Sequence, residues 1–235
     1  MAGLAEHKLS LEPAPIRLFR MEYVQAVYNR AVNNFYDVLA TYFRRKRHRW
    51  LTTEFHDCRT VIDLGGTEEM WKELSLGERI TLLNVGDAPT NLPPKFSYVQ
   101  GDGRDTGLPE AAFDLAFSNS AIEHVGGFED QQRFAREMLR LGRHIYCQTP
   151  NKWFPVEPHF LALFVHWLPR RWFGYTVYRY LTLNGWIARP DRKNCAALVG
   201  SVRLLTRKEL GQLFPGCKMR TERFLGLPKS LIVFR

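Results

Sequence analysis

The residues best suited to chemistry in this chain fall in four short clusters separated by apolar runs. The first is Asp63-Leu64-Gly65-Gly66-Thr67. Its two glycines let the backbone turn tightly and approach a ligand, and the helix that follows offers free N–H groups to a negative group. The second cluster is Asn84, with Asp87 three residues on. The third is Gly101-Asp102-Gly103, and the fourth is Ser118-Asn119-Ser120-Ala121-Ile122-Glu123-His124-Val125. A glycine-rich loop alone is a weak signal, because nucleotide-binding folds of many chemistries share it. Aspartate beside glycine is also ordinary turn chemistry. Two imidazoles add a capacity for proton transfer. His124 lies in the fourth cluster, and His159 follows Glu157-Pro158, close enough for that carboxylate to orient the ring or hold a substrate group. The competing reading of His159 is a structural histidine bonded across a loop, and His166 on an apolar stretch reads as packing.

Elements must bring these clusters together. Apolar runs at Thr60–Leu64, Ile80–Val85, Phe96–Gln100, Phe113–Phe117 and His144–Cys147 read as strands, with helical stretches at Glu68–Leu74 and Phe128–Leu141. The alternation predicts an α/β fold with a doubly wound, mostly parallel, seven-stranded sheet. Each cluster then falls at the carboxyl end of a strand, the edge where open α/β sheets bind ligands. The segments after Val85 and Gln100 are too short and too rich in Pro and Gly for full crossover helices. Thr206 and Glu209 form a capping-box pattern that starts a helix ended by Pro215-Gly216. Extended runs at Met219–Phe224 and Leu231–Phe234, with a turn across Gly226-Leu227-Pro228-Lys229, predict a terminal hairpin that adds one antiparallel strand.

Two segments lie outside this rhythm. From Ile16 to Phe43 apolar residues recur at helical spacing, which predicts a helical N-terminal extension ending in the basic run Arg44–Arg49. Residues 151–200 are dense in aromatics and read as an inserted, largely helical lid over the strand ends. Trp153 and Tyr175 are its candidate substrate contacts, since flat rings supply contact area at low entropic cost. The same aromatics can equally pack the lid onto the sheet. The expected organisation is a single domain over 1–235: extension 1–59, core 60–150, lid 151–200, and last helix with hairpin 201–235.

With the four clusters in this order, the sequence resembles the class I S-adenosylmethionine-dependent methyltransferases, in particular their small-molecule group with a Ser-Asn-x-x-Ile-Glu-His-Val segment. The resemblance covers Val61 to Pro150 and agrees with the terminal hairpin. Gln148 to His159 further resembles a bacterial subfamily with a QTPNxWFPxEPH segment. It implies a Rossmann-like methyltransferase fold with S-adenosylmethionine as cofactor and S-adenosylhomocysteine as product. Asp63 then orders the loop near the cofactor's amino group, and Gly65 and Gly66 admit the methionine part. Asp102 accepts from the adenine amino group with Gly103 beside it, and Ser118 and Asn119 lie under the sulfonium. Two departures stand out: Thr67 replaces a further glycine, and Asn84 replaces the carboxylate that holds the ribose hydroxyls. Asn84 can still accept from one hydroxyl and donate to the other, and is preferred to Asp87. Methyl transfer to a small-molecule acceptor then needs mainly positioning, with His159 as general base and His124 as the second candidate.

The net charge of +9 suits an anionic partner: nucleic acid, an acidic small molecule or a lipid surface. The alternative to a small-molecule enzyme is therefore a nucleic-acid-binding protein or nucleic-acid methyltransferase using the basic surface. No nucleic-acid motif supports it, and the fourth cluster lacks an Asn-Pro-Pro-Tyr segment. A nucleotide-dependent oxidoreductase would need a fuller glycine fingerprint and an acid after the second strand. A third reading is peripheral contact with a membrane through the basic and aromatic face. Four scattered cysteines without zinc-site spacing fit reduced thiols and no metal. The N-terminal stretch lacks the uninterrupted apolar core of a secretory signal, so a cytoplasmic location is expected. The run Phe160–Leu168 is too short to span a bilayer.

Overall fold

Short apolar strands supply both faces of a central sheet in the computed structural model, which describes residues 41–157, 162–168, 176–182, 185 and 191–235. The chain divides into Met1–Arg47 and His48–Arg235. Of the first unit the described residues, 41–47, are helical. The expected helix from Ile16 therefore lies almost wholly outside the described residues. The second unit opens with helical residues 48–54 (α1) and continues with β1 (Thr60–Leu64), α2 (Glu68–Trp71), β2 (Arg79–Asn84) and β3 (Phe96–Gln100). Then come β4 (Phe113–Asn119), α3 (Phe128–Leu141) and β5 (Gly142–Pro150). After the insertion follow α6 (Arg207–Leu213), β8 (Lys218–Phe224) and β9 (Leu227–Phe234).

The seven-stranded sheet runs in the order β3-β2-β1-β4-β5-β9-β8. The pairs among β1 to β5 are parallel, and β9 runs antiparallel to both β5 and β8. The direction of winding reverses between β1 and β4, which makes their carboxyl ends the switch point at which open α/β sheets form ligand crevices. The doubly wound α/β architecture expected from the sequence is therefore the one observed.

Alternate residues of each strand feed two cores. Ile62, Leu64, Ala116, Ile145, Cys147 and Val233 face α3 and α6, where Phe134, Met138, Leu210 and Leu213 cover them. Val61, Leu82, Leu115, Phe117, Tyr146 and Ile232 belong to the opposite layer, closed by Leu51 of α1, by Phe55 just after it, and by Trp71 and Leu74. Helix α3 buries Gln131, Phe134, Ala135, Met138 and Leu141, the three-to-four spacing of one helical face. At its start the Gly127 N–H donates to the Asp130 carboxylate at 3.1 Å, and an acid in the first turn also suits the helix dipole. The sequence-predicted capping box of α6 is present. The Glu209 N–H donates to Thr206 Oγ1 at 3.2 Å, and the Thr206 N–H donates to Glu209 Oε2 at 2.8 Å.

Three local expectations are corrected. Helix α2 covers only Glu68–Trp71, because the chain then loosens into three-residue turns such as Leu74 N–H to Trp71 O. The final hairpin turns at Leu225-Gly226, with φ of 48° and 81°, instead of across Gly226–Lys229. Two successive positive φ values match the twist of paired strands, so β9 starts at Leu227, and Pro228 is accommodated next to an irregularity in register at Glu222/Arg223. The insertion is not simply helical in its described parts. It contains a small antiparallel pair, β6 (Val156–Glu157) with β7 (Ala162–Leu163), a 3-10 turn at Val165–Trp167, and the helices α4 (Tyr178–Leu181) and α5 (Arg192–Gly200). Its entry and exit are tied together at the carboxyl end of β5, where Asn151 pairs with Leu205. No helix among the described residues is long and apolar enough to cross a membrane.

Helix α3 passes into β5 without a loop because Gly142 has no side chain. A Cβ there would lie 2.4 Å from Ala116 N and 2.5 Å from His144 O, both backbone atoms of the sheet. Gly142→Ala is expected to lower the unfolding free energy by ~1–3 kcal/mol, the usual effect of overpacking a closed site. A urea titration would register this as a lower midpoint at unchanged slope.

Candidate active site

The row of residues across the middle of the sheet is apolar except at one place. Register aligns Leu82, Asp63, Phe117, Tyr146 and Phe234 on five neighbouring strands. Phe117 and Tyr146 stack at 4.6 Å, and Trp71 packs edge-on against Phe117 at 4.9 Å. Asp63 stands in this row fully buried. Its Oδ2 accepts from Trp71 Nε1 at 2.7 Å, while its Oδ1 has no hydrogen-bond partner among the described residues. Burial lifts the carboxyl from 3.8 to about 7, against the opposing pull of the Trp71 bond.

The loop above this carboxylate requires its glycines. Gly65 has φ of +83°, and a Cβ there would sit 2.6 Å from Ala121 Cβ. At Gly66 a Cβ would lie 1.7 Å from Asp63 Oδ2, so the backbone crosses directly over the acid. Asn84 Nδ2, at the end of β2, donates to Gly66 O at 2.8 Å and pins the loop from the side. Thr67 takes the N-cap position of α2 without a side-chain cap bond. Asp87 is exposed and meets Gln100 Nε2 at 3.4 Å.

Asp102 is organised by a neighbour that the sequence reading did not single out. Arg104 Nε and the Arg104 N–H each donate to Asp102 Oδ1 at 2.9 Å, and an Arg104 terminal nitrogen reaches Oδ2 at 2.6 Å. The same guanidinium spans to Asp130 Oδ1 at 3.0 Å. The bond from Arg104 holds the Asp102 carboxyl below its ordinary range. Gly103 is fixed by packing, since a Cβ would come 2.7 Å from the Phe134 ring.

At the end of β4, buried Ser118 donates to Leu64 O at 3.1 Å, and half-buried Asn119 pairs in register with Gln148. Ser120, at φ of 56°, is held by Gln148, whose carbonyl accepts the Ser120 N–H at 2.8 Å. Buried Glu123 accepts from Thr149 Oγ1 at 2.9 Å. His124 ends the 3-10 turn Ile122–His124, is exposed, and lies 3.4 Å through Nδ1 from Ser201 O. Trp153 is exposed, and Glu157 contributes backbone to β6. His159 and Tyr175 lie outside the described residues, as does the Glu157 side chain.

The structure thus gathers Asp63, Gly65, Gly66, Asn84, Ser118 and Asn119 around the ends of β1, β2 and β4, with Asp102 and Gly103 after β3. Trp71 and Arg104 were missed. An indole eight residues past a buried acid, and a cation two residues past a loop aspartate, are the signals that point to them. Among the described residues no cluster of His, Cys, Asp or Glu could hold a metal ion.

Comparison with known proteins places residues 66–144 in a match to a methyltransferase domain. Ajmaline N-methyltransferase of Rauvolfia serpentina is 36% identical over 64 residues, 27% of this chain and 21% of the relative. An uncharacterized protein of Mycobacterium tuberculosis is 38% identical over 53 residues, 23% of this chain and 18% of the relative. The matched stretches therefore span about a fifth of the length of these curated relatives. Among solved structures, 1,6-didemethyltoxoflavin-N1-methyltransferase of Burkholderia thailandensis, crystallised with 1,6-didemethyltoxoflavin and S-adenosylhomocysteine, aligns with a TM-score of 0.51 at 14% identity. That alignment covers 96% of this chain and 91% of the other, and shows a shared fold.

Two outcomes follow from the buried acid. Between about pH 4 and about pH 7 the unfolded chain has lost the Asp63 proton and the folded chain still holds it. Stability then falls as pH rises through that window, by up to ~1.4 kcal/mol per unit, and levels off above it. Urea titrations across the window are expected to show a shallower decline for Asp63→Asn, and an identical decline would refute the raised carboxyl. Trp71→Phe, which leaves the acid without its donor, is expected to cost ~1–3 kcal/mol.

Proposed function

We propose that the chain transfers a methyl group from S-adenosylmethionine to a small-molecule acceptor. The observation that carries this reading is the buried Asp63 carboxylate, with one oxygen unpartnered among the described residues, beneath a glycine loop that a single Cβ would block. A polar atom without a partner in a dry place is costly, and such sites in native proteins have a use. A ligand amine or its bound water, brought in over Gly65 and Gly66, satisfies it. The match of residues 66–144 to a methyltransferase domain supports the same assignment.

The neighbouring groups fit the rest of that cofactor. Asn84 spends its amide nitrogen on Gly66 O and keeps Oδ1 as an acceptor for a ribose hydroxyl. Asp102, oriented by Arg104 and still 41% exposed at its side chain, retains lone pairs for an adenine amino group. Ser118 and Asn119 stand at the β4 end beside the loop. When bound, the cofactor's sulfonium supplies a methyl group that is already activated for displacement. The chain's own task is then to orient the acceptor and exclude water, a contribution that can reach ~7–11 kcal/mol in well-aligned reactions.

The insertion after β5 begins at the carboxyl edge of the sheet and returns to it, so acceptor recognition falls to it. Trp153 and Tyr175 supply apolar or planar contact, Glu157 a polar one, and His159 removes a proton where the nucleophile carries one. His124, exposed beside Ser201, serves as a pocket residue in preference to a base.

Adding S-adenosylhomocysteine is expected to raise the thermal midpoint of the wild type in proportion to the logarithm of its concentration. Gly66→Ala, with its methyl overlapping Asp63, is expected to abolish that rise. A wild type indifferent to the compound would overturn the cofactor assignment. His159→Ala is expected to lower turnover by ~10²-fold or more with cofactor affinity unchanged, and equal turnover would remove His159 from the mechanism.

A further inference from the structure

Apart from Trp153, which the methyl-transfer reading gives to the acceptor, the insertion carries a surface that this reading does not use. Trp153, Leu163, Phe164, Trp167 and Leu168 are exposed by 58%, 61%, 48%, 42% and 39% respectively. The three rings form one patch, Phe164 and Trp167 lying 4.9 Å apart and Trp153 and Trp167 6.1 Å, with Leu163 and Leu168 next to Phe164 and Trp167 in sequence. Large apolar side chains grouped in this way, instead of scattered singly, mark an interaction surface. The backbone supports the display. Phe164 adopts φ of 60°, the left-handed region that a bulky residue enters only when its surroundings impose it.

We infer that this patch is a docking surface for an anionic lipid bilayer, with the indole and phenyl rings entering the headgroup boundary. Three features favour that occupant. Residues 151–200 carry seven Lys and Arg against only Glu157 and Asp191, so the segment that bears the rings is itself strongly cationic. Lys152 lies 5.8 Å from the Trp153 ring, placing an ammonium at the rim of the apolar group as an interfacial anchor requires. Lastly, Trp167 Nε1 donates to Lys152 O at 2.8 Å, so its ring can leave water without stranding its one polar group. Basic residues near a bilayer each gain from the negative surface potential, and aromatic rings sit at the headgroup level. Neither feature needs a spanning helix.

The test is flotation of the whole chain with phosphatidylcholine vesicles, with and without phosphatidylserine, at low and high salt. The wild type is expected to float with the phosphatidylserine vesicles at low salt and to be released by high salt. Two variants keep the proposal separable from misfolding. Phe164→Gly removes a ring and relieves the positive φ, and Leu163→Asp places a charge on an exposed position. Each is expected to float roughly tenfold less well or worse, the effect of withdrawing one apolar side chain from the interface, with an unchanged circular dichroism spectrum. Absence of the wild type from the floating fraction would overturn the inference. So would variants that float as well as the wild type, since the cations alone would then be responsible. Sedimentation showing self-association that Leu163→Asp abolishes, without flotation, would assign the patch to a second copy of this chain instead. Because the assay reads no methyl transfer, its failure leaves the cofactor assignment untouched.

Discussion

One carboxylate in an apolar row sets the terms for much of this molecule. Asp63 occupies a position that sheet geometry reserves for a core side chain, between Leu82 and Phe117. The fold tolerates it through a single indole bond and through a backbone that crosses overhead without a Cβ. Trp71 must then come from the first turn after the loop, which ties the end of the short α2 to the aromatic layer of Phe117 and Tyr146. Packing and site chemistry thus share the same atoms. A second partner for Asp63 would steady the fold by satisfying the Oδ1 that has no bond among the described residues.

The remaining stations vary in how firmly they are built. Ser118 and Gly103 are held by the protein itself, through Leu64 O and the Phe134 ring. Asn84 holds the loop with its amide nitrogen, whereas a carboxylate there would have had no hydrogen to give Gly66 O. The asparagine at this position therefore has a structural task of its own. Asp102 is paired with Arg104, which aligns the carboxylate and ties the β3 loop to the start of α3 through Asp130.

The sheet was legible because its strands are short, apolar and punctuated, and the order of clusters at their ends left few topologies. Both β1 and β3 begin and end where the apolar runs do, as does α3. The capping box at Thr206 and Glu209 was equally plain, since its two bonds depend on local spacing alone. Contacts closed by tertiary structure were harder to read. The indole eight residues past Asp63 and the cation two residues past Asp102 are visible in the string, but only the folded chain turns Trp71 inward to the acid and stretches Arg104 between two aspartates. Gly226-Leu227-Pro228-Lys229 read as a turn because Pro and Gly usually mark one, yet Leu225 accepts the left-handed conformation and hands Pro228 to a strand. In the insertion, aromatic density hid the period that distinguishes helix from strand, so the β6 and β7 pair went unseen.

The position of β9 has a consequence for how the chain is made. It follows the other described strands in sequence but lies inside the sheet, between β5 and β8, and its Leu231 and Val233 complete the layer under α3 and α6. Strands β1 to β5 can pair with one another as they leave the ribosome, whereas the open flank of β5 must wait for residues 227–234. Throughout that interval the growing polypeptide presents an unpaired strand edge beside exposed leucines and isoleucines, the situation in which nascent chains most need a chaperone or rapid completion.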